Sequence, residues 1–402
     1  MNNEIIEKLD SINWDFDTRV IADDHAVYPF NNRKFYSYPA TFIPEIPFSL
    51  IEILSLPGSV VLDPFGGIGT TFIQALIQNR IPISIDNNAI ASSITNDFFV
   101  LFHPAVNLSR ISDSINTLLG TYSPHNDYSV YMDNQRNELK GWYDSKTYNE
   151  ISYLIYIYDQ IKHKKDGTSN LFHLCLTNVL TSASSQNGGW AYFADNVKPS
   201  ETKLKEKKAL EKFKLFLSSC VNSIQHYKSL VNADTITANS NKSIKNIINA
   251  DFVSFNIDSL RENIDLIVTS PPYPKMVDYI KSQRLSFYLD EYELYDGLKQ
   301  EIGARYRRNN KNTIDEYVAS MSVCNKKMYD LLKFGGYLCY ILPCFHEGSD
   351  RWNAIETVIN NCKEVGFSQK YQKIRSIPGT QRSNNIKWAS LSKEQIIIME
   401  KQ

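Results

Sequence analysis

What the chain lacks narrows it first. No apolar run approaches the eighteen or so residues that a membrane helix requires. The opening Met1-Asn-Asn-Glu-Ile-Ile-Glu has neither a basic flank nor an apolar core, so no secretory leader is expected. Cys175, Cys220, Cys324, Cys339, Cys344 and Cys362 form no Cys-x-x-Cys pair and no Cys/His cluster with metal spacing. That pattern argues against a structural zinc and fits a reducing cytosol. There is no excess of basic residues either: the net charge is −1, so any contact with nucleic acid has to rest on a local basic face. Internal repeats and low-complexity tracts are absent as well. What remains is 402 residues, 43% hydrophobic and 22% charged, the composition of a folded protein with room for a large core.

Two stretches carry the chemistry. The first, Gly58-Ser-Val60-Val61-Leu62-Asp63-Pro64-Phe65-Gly66-Gly67-Ile68-Gly69-Thr70-Thr71, reads as a short buried strand and a glycine-rich turn. A helix through Phe72, Ile73, Ala75, Leu76 and Ile77 follows. Glycines let a backbone approach a ligand, and the helix start offers free N–H groups. A second strand, Ile81-Pro-Ile83-Ser-Ile85, ends in Asp86 about twenty residues after the turn, suited to accept hydrogen bonds from ribose hydroxyls. Taken alone, this pattern fits a dinucleotide site, a dehydrogenase or a plain tight turn equally well.

The second stretch is Asp265-Leu-Ile-Val-Thr269-Ser270-Pro271-Pro272-Tyr273. Two prolines cannot continue a helix or a central strand, so the chain must leave the sheet at Ser270. In an open α/β sheet that corner stands at the rim of the ligand crevice. On its own it reads as an ordinary turn.

Together the pair is specific. Asp63 to Thr70 with Thr269 to Tyr273 resembles the S-adenosylmethionine and catalytic motifs of the DNA methyltransferases that methylate the exocyclic amine of cytosine or adenine. Tyr38-Pro39-Ala40-Thr41-Phe42 is similar to the segment that closes over the methionine end of the cofactor in that family. Ala250-Asp251-Phe252 is similar to its acidic corner near the cofactor adenine. The resemblance covers roughly residues 33–100 and 246–400. It implies a Rossmann-like class I methyltransferase fold, α/β with a mostly parallel sheet, and S-adenosyl-L-methionine as cofactor. Double-stranded DNA is the implied partner and the bacterial cytoplasm the implied compartment. Residues 1–100 and 246–402 would form the catalytic domain, with 33–100 as its cofactor half and 246–402 as its catalytic half. Residues 101–245 would form a mainly helical insert, the candidate target-recognition region. The cofactor residues it implies are Tyr38, Thr41, Phe42, Asp63, Pro64, Phe65, Gly67, Gly69, Thr70, Asp86 and Asp251; the catalytic ones are Ser270, Pro271, Pro272 and Tyr273.

The residue types suit that chemistry. The lone pair of an exocyclic amine is delocalised into the base, and an enzyme localises it by accepting its hydrogens and aligning it with the methyl donor. The Ser270 hydroxyl and the Pro271 carbonyl can accept, and Tyr273 offers a face for stacking a flipped base. Attack at cytosine ring carbon would need a cysteine nucleophile; Cys344 follows a sheet strand with no Glu-Asn-Val stretch beside it and reads as a core or rim residue. Serine ahead of Pro-Pro-Tyr favours the cytosine amine within the resembled family, with adenine N6 as the alternative. An RNA or small-molecule methyltransferase would share the cofactor half, and a non-catalytic DNA-binding subunit would share the fold.

Of two basic stretches, Lys198 to Lys214 alternates with glutamates and reads as a solvated helix face. Arg305-Tyr306-Arg307-Arg308-Asn-Asn-Lys311 is denser, interleaves an aromatic and follows the catalytic corner, so it is a candidate DNA contact. Gln186, Asn187 and Trp190 are candidates for base-edge and stacking contacts, against the plainer reading of a polar loop with a docked tryptophan. No chemistry is assigned to residues 1–32. No nuclease constellation is visible, so a restriction endonuclease partner would be a separate chain.

Further elements follow from pattern. Helices are expected over 151–161, 171–180, 204–230, 279–292, 317–332 and 352–365, with Lys333-Phe-Gly335-Gly336 as a helix stop. Strands are expected over 337–342 and 394–400.

Overall fold

The apolar runs flanking the two motifs become neighbouring strands at the centre of one sheet. A computed structural model describes residues 1–16, 29–186, 198–232, 234, 246–378 and 391–402. Among them are seven strands: β1 (Val60–Asp63), β2 (Ile81–Asp86), β3 (Ile247–Asn249), β4 (Ile264–Thr269), β5 (Leu332–Pro343), β6 (Phe367–Ser376) and β7 (Lys393–Lys401). Their order is β3-β2-β1-β4-β5-β7-β6. The pairs from β3 through β5 are parallel, and β7 runs antiparallel between β5 and β6. From β1 the chain moves outward to β2 on one side, while β4 lies on the other. Such a reversal of strand order opens a crevice outside the carboxyl ends of β1 and β4.

The helices in chain order are α1 (Asn3–Ser11), α2 (Glu45–Leu54), α3 (Thr70–Ile77), α4 (Ala89–Leu101), α5 (Leu108–Leu119), α6 (Ser145–Ile161), α7 (Thr168–Ser182), α8 (Ala209–Lys228), α9 (Tyr279–Ser282), α10 (Arg284–Leu289), α11 (Leu294–Lys299), α12 (Thr313–Leu331) and α13 (Asp350–Val365). Strand side chains alternate between faces. Leu62, Ile267, Leu338 and Ile397 pack with α12 and α13, while Val61, Leu266, Val268, Ile341 and Ile398 pack with α1 and α2. Strands buried on both sides read as continuous apolar runs, which is why they stand out in the sequence. Each such side chain contributes about 1.5–3 kcal/mol by burial.

A third apolar cluster lies away from the sheet. Helices α5, α6, α7 and α8 pack onto α3 and α4, sharing Phe72, Ile73, Ile94 and Phe98 with the segment that carries Phe30, Phe35 and Tyr36. The helices between the two motif blocks therefore have no core separate from the cofactor half.

Several elements depart from the sequence expectations. The expected helix over 279–292 is divided, because the chain breaks at Gln283 and turns at Glu291, where φ is +60°. The long helix begins at Ala209 rather than Leu204, after a left-handed Lys208. Helix α12 ends at Leu331, ahead of the expected stop. Gly335, with φ of +77°, instead serves a bulge: β5 pairs Leu332 with Ile264 and then jumps to Tyr337 opposite Leu266. Strands β3 and β6 have no counterpart in the sequence reading.

Candidate active site

The carboxyl ends of β1 and β4 are joined directly. Thr269 Oγ1 donates to Asp63 Oδ1 at 2.6 Å across 206 residues of sequence, and Thr71 Oγ1 donates to the Val268 carbonyl at 3.1 Å. Asp63 also accepts from the Phe65 amide at 3.1 Å, and its other oxygen is buried without a partner. Burial pushes the Asp63 carboxyl up to about 6, with the Thr269 hydrogen bond opposing the shift.

After Asp63 the chain turns through Gly67 and Gly69, both at positive φ (+51° and +78°). At Gly69 a Cβ would stand 2.7 Å from Thr95 Cγ2, so the turn that starts α3 requires glycine there. Asn32 braces it from below, donating to the Ile68 carbonyl at 2.9 Å. Asp86, at the end of β2, accepts from the Gly67 amide at 2.7 Å and the Asn88 amide at 2.8 Å. It too is pushed up to about 6 by burial, against the pull of those two amides.

These elements wall a cavity at the carboxyl ends of β1 and β4. Tyr38, Thr41 and Phe42 line one side, and Pro64, Phe65, Gly67 and Thr70 the floor. Asp86, Asp251, Ser270 and Pro272 line it as well. The Tyr38 ring lies over Gly67, 3.4 Å from where a Cβ would be, and stacks on Tyr279 with centroids 5.8 Å apart. Asp251 caps its own turn, accepting from Val253 N at 3.0 Å and Ser254 Oγ at 2.9 Å. The expected cofactor residues therefore converge on one space, Asp63 bracing the turn from behind and Gly69 shaping it rather than lining it. An elongated ligand with a hydroxylated middle and a polar end fits this donor set: a glycine floor open to close approach, acidic groups and aromatic walls.

The catalytic corner is arranged differently from the sequence reading in one respect. Pro271 and Tyr273 are buried, and neither lines the cavity. The turn sends the Tyr273 ring inward, 5% exposed, so its face is not presented to a ligand. Its hydroxyl instead accepts a hydrogen bond from Ser270 Oγ at 3.2 Å and faces Glu394. The aromatic rings that do line the space include Tyr38, Phe65 and Tyr279. Burial pushes the Cys344 thiol up to about 11, which leaves no thiolate for attack on a base.

Arg305 to Arg307 form a single turn anchored to the loop after the corner: Arg305 N donates to the Val277 carbonyl at 3.1 Å and Tyr306 N to Asp278 Oδ1 at 2.7 Å. Lys281 and Arg307 flank the Tyr306 ring at 4.5 and 5.4 Å, and Arg308 is exposed. Gln186 follows the end of α7 and does not line the cavity, while Asn187 and Trp190 fall outside the described residues. Among the described residues no cluster of His, Cys, Asp and Glu suits a metal ion, and no helix is long and apolar enough to cross a membrane.

Sequence reasoning did not pick out Asn87, Tyr279, Glu301 and Ile302, which also line the cavity. Asn32 was missed as well. Only Tyr279, an aromatic soon after the corner, left any signal; the others depend on chain crossings that no local pattern reports.

The fold and crevice define a Rossmann-like α/β protein with a cavity at its switch point. Residues 18–97 match the DNA methylase family model N6_N4_Mtase. Over 150 residues the chain is 29% identical to the type II methyltransferase M.MthZI of Methanothermobacter thermautotrophicus, covering 35% of this chain and 42% of that protein. Two structures of a DNA modification methylase from Thermus thermophilus, one a selenomethionine derivative and one complexed with S-adenosyl-L-methionine, each show 15% identity and a TM-score of 0.22. They match over 37% of this chain and 48% and 49% of theirs. The chain thus spans under half the length of these relatives. Both sequence matches are thus to DNA methylases, each over a minority of the chain.

Proposed function

We propose that this chain is an S-adenosyl-L-methionine-dependent DNA methyltransferase that methylates the N4 amine of a cytosine flipped out of double-stranded DNA. The observation that carries this reading is the seam between Asp63 and Thr269, which sets a glycine-floored ligand cavity with an acceptor hydroxyl in its lining. Tyr38, Thr41, Phe42, Phe65, Thr70, Asp86 and Asp251 would hold the cofactor, which supplies a methyl group activated on a sulfonium. Because the Ser270 hydroxyl donates its proton to Tyr273, its lone pairs remain for the hydrogens of an amine. Accepting them localises the nitrogen lone pair where the methyl is presented. Flipping costs roughly a few kcal/mol, which stacking on the cavity's aromatic walls partly offsets. Arg305, Arg307 and Arg308 would meet the DNA backbone, and the helices over 101–245, with Gln186, Asn187 and Trp190, would read the target.

The test is tritium transfer from labelled cofactor to unmodified bacterial DNA, followed by nucleoside chromatography, with Ser270→Ala and Asp63→Ala beside the native chain. Label in N4-methylcytosine that disappears in both variants is expected. Label in N6-methyladenine would replace cytosine by adenine, and cofactor binding without label in DNA would remove DNA as substrate.

A further inference from the structure

The cavity has an acidic side chain that the motifs leave unused. Glu301 lines it beside Tyr38, Tyr279 and Ile302, on a strap that crosses from the catalytic loop to the end of β2. Lys275 N donates to the Gly303 carbonyl at 2.7 Å at one side of the strap, and Asn87 Nδ2 to the Gln300 carbonyl at 3.0 Å at the other. Glu301 is 6% exposed; its Oε1 accepts from the Ile280 amide at 2.7 Å, and its Oε2 is buried with no hydrogen-bond partner.

The other carboxyl groups lining the cavity differ. Both Asp86 oxygens accept backbone amides, and both Asp251 oxygens are taken within its own turn. Glu301 is therefore the lining carboxyl with an acceptor left over, and a buried acceptor without a donor is costly unless a ligand supplies one. We infer that Glu301 is a further cofactor ligand, its Oε2 receiving a hydrogen bond from the α-ammonium at the methionine end; this rests on the cofactor reading above. A sulfonium has no N–H to donate, each Asp86 oxygen keeps a second lone pair for the ribose hydroxyls, and a carboxylate gains more from an ammonium than from the neutral adenine amine. Burial pushes Glu301 up to about 8, with Asp278 adding to the shift and the Ile280 and Tyr279 amides and Lys281 opposing it. An arriving cation would favour the charged form.

The experiment is calorimetric titration of the full chain and of Glu301→Gln with two ligands, S-adenosylmethionine and 5′-methylthioadenosine. The latter keeps adenine and ribose and lacks the amino-acid ammonium. Glutamine keeps an acceptor for the Ile280 amide and removes the charge. Binding of S-adenosylmethionine is expected to weaken about 10- to 100-fold in the variant, the range for a hydrogen bond to a charged group, while that of methylthioadenosine changes less than about twofold. Equal affinity of both chains for S-adenosylmethionine, or equal losses for both ligands, overturns the assignment. A native chain that binds neither ligand overturns the cofactor reading itself.

Discussion

At Ser270 one proton decides how the side chain works. Donated to Tyr273, it leaves the hydroxyl as an acceptor; without that partner the hydroxyl is free to rotate and donate elsewhere. Tyr273→Phe should therefore lower the single-turnover methylation rate about tenfold while leaving cofactor affinity unchanged, a loss the size of one ordinary hydrogen bond. An unchanged rate would separate Tyr273 from the chemistry. Asp63 shows the opposite tension, between function and stability. Its folded-state pKa is raised to about 6 by burial, so its contribution to stability is complete below the ordinary carboxylate value of 3.8 and is lost as the pH rises through 6. Ligand-free Asp63→Asn should then melt at or above the native temperature at pH 8, with no such advantage at pH 4. A variant that melts several degrees lower at pH 8 would show that the carboxylate supports the fold rather than straining it.

At the scale of elements, one staple is hidden in the sequence. His173 on α7 lies between Asp97 on α4 and Asp290 after α10, with Asp290 at 3.2 Å. Burial alone would lower the pKa of the ring, but the two carboxylates raise it well above its usual 6.5. Breaking this cluster with His173→Ala leaves buried Asp97 and half-buried Asp290 without their shared cation, Asp97 keeping only the Asn170 amide, and should cost about 3 kcal/mol in urea denaturation at pH 6. Because the histidine pKa is raised, its stabilisation is full below about 6.5 and fades as the pH climbs through the folded-state value. The native chain should lose stability over that window, and the variant should lose less. The same contrast governs what could be read in advance. Strands β1, β2 and β4 and the start of α3 were legible because they are buried on both faces and closed by proline, glycine or an acidic end. Strand β3 has three residues, and β6 carries a bulge between Gln369 and Tyr371 that breaks its alternation. The cavity wall was legible through its motifs. The inward turn of Tyr273 and the arrival of Glu301 were not, since each is set by packing between segments far apart in sequence.

Across the whole molecule, a net charge of −1 places any attraction for DNA on local surface. The basic turn at Arg305 to Arg308 hangs from the loop that follows the Ser270 to Tyr273 corner, so a duplex docked there would lie near the cavity. Arg308→Ala should weaken DNA binding at low salt and reduce the slope of log affinity against log salt by about one, uniformly across sequences. A change confined to particular sequences would instead make Arg308 a reader of bases.

The hydrogen bond from Thr269 to Asp63 also bears on descent. The two halves of the site meet sideways, through strand pairing, and nothing in that seam depends on which half is translated first or on how much chain runs between them. An exchanged, lengthened or reordered intervening segment would leave the seam intact only if it kept the apolar face that packs on α3 and α4.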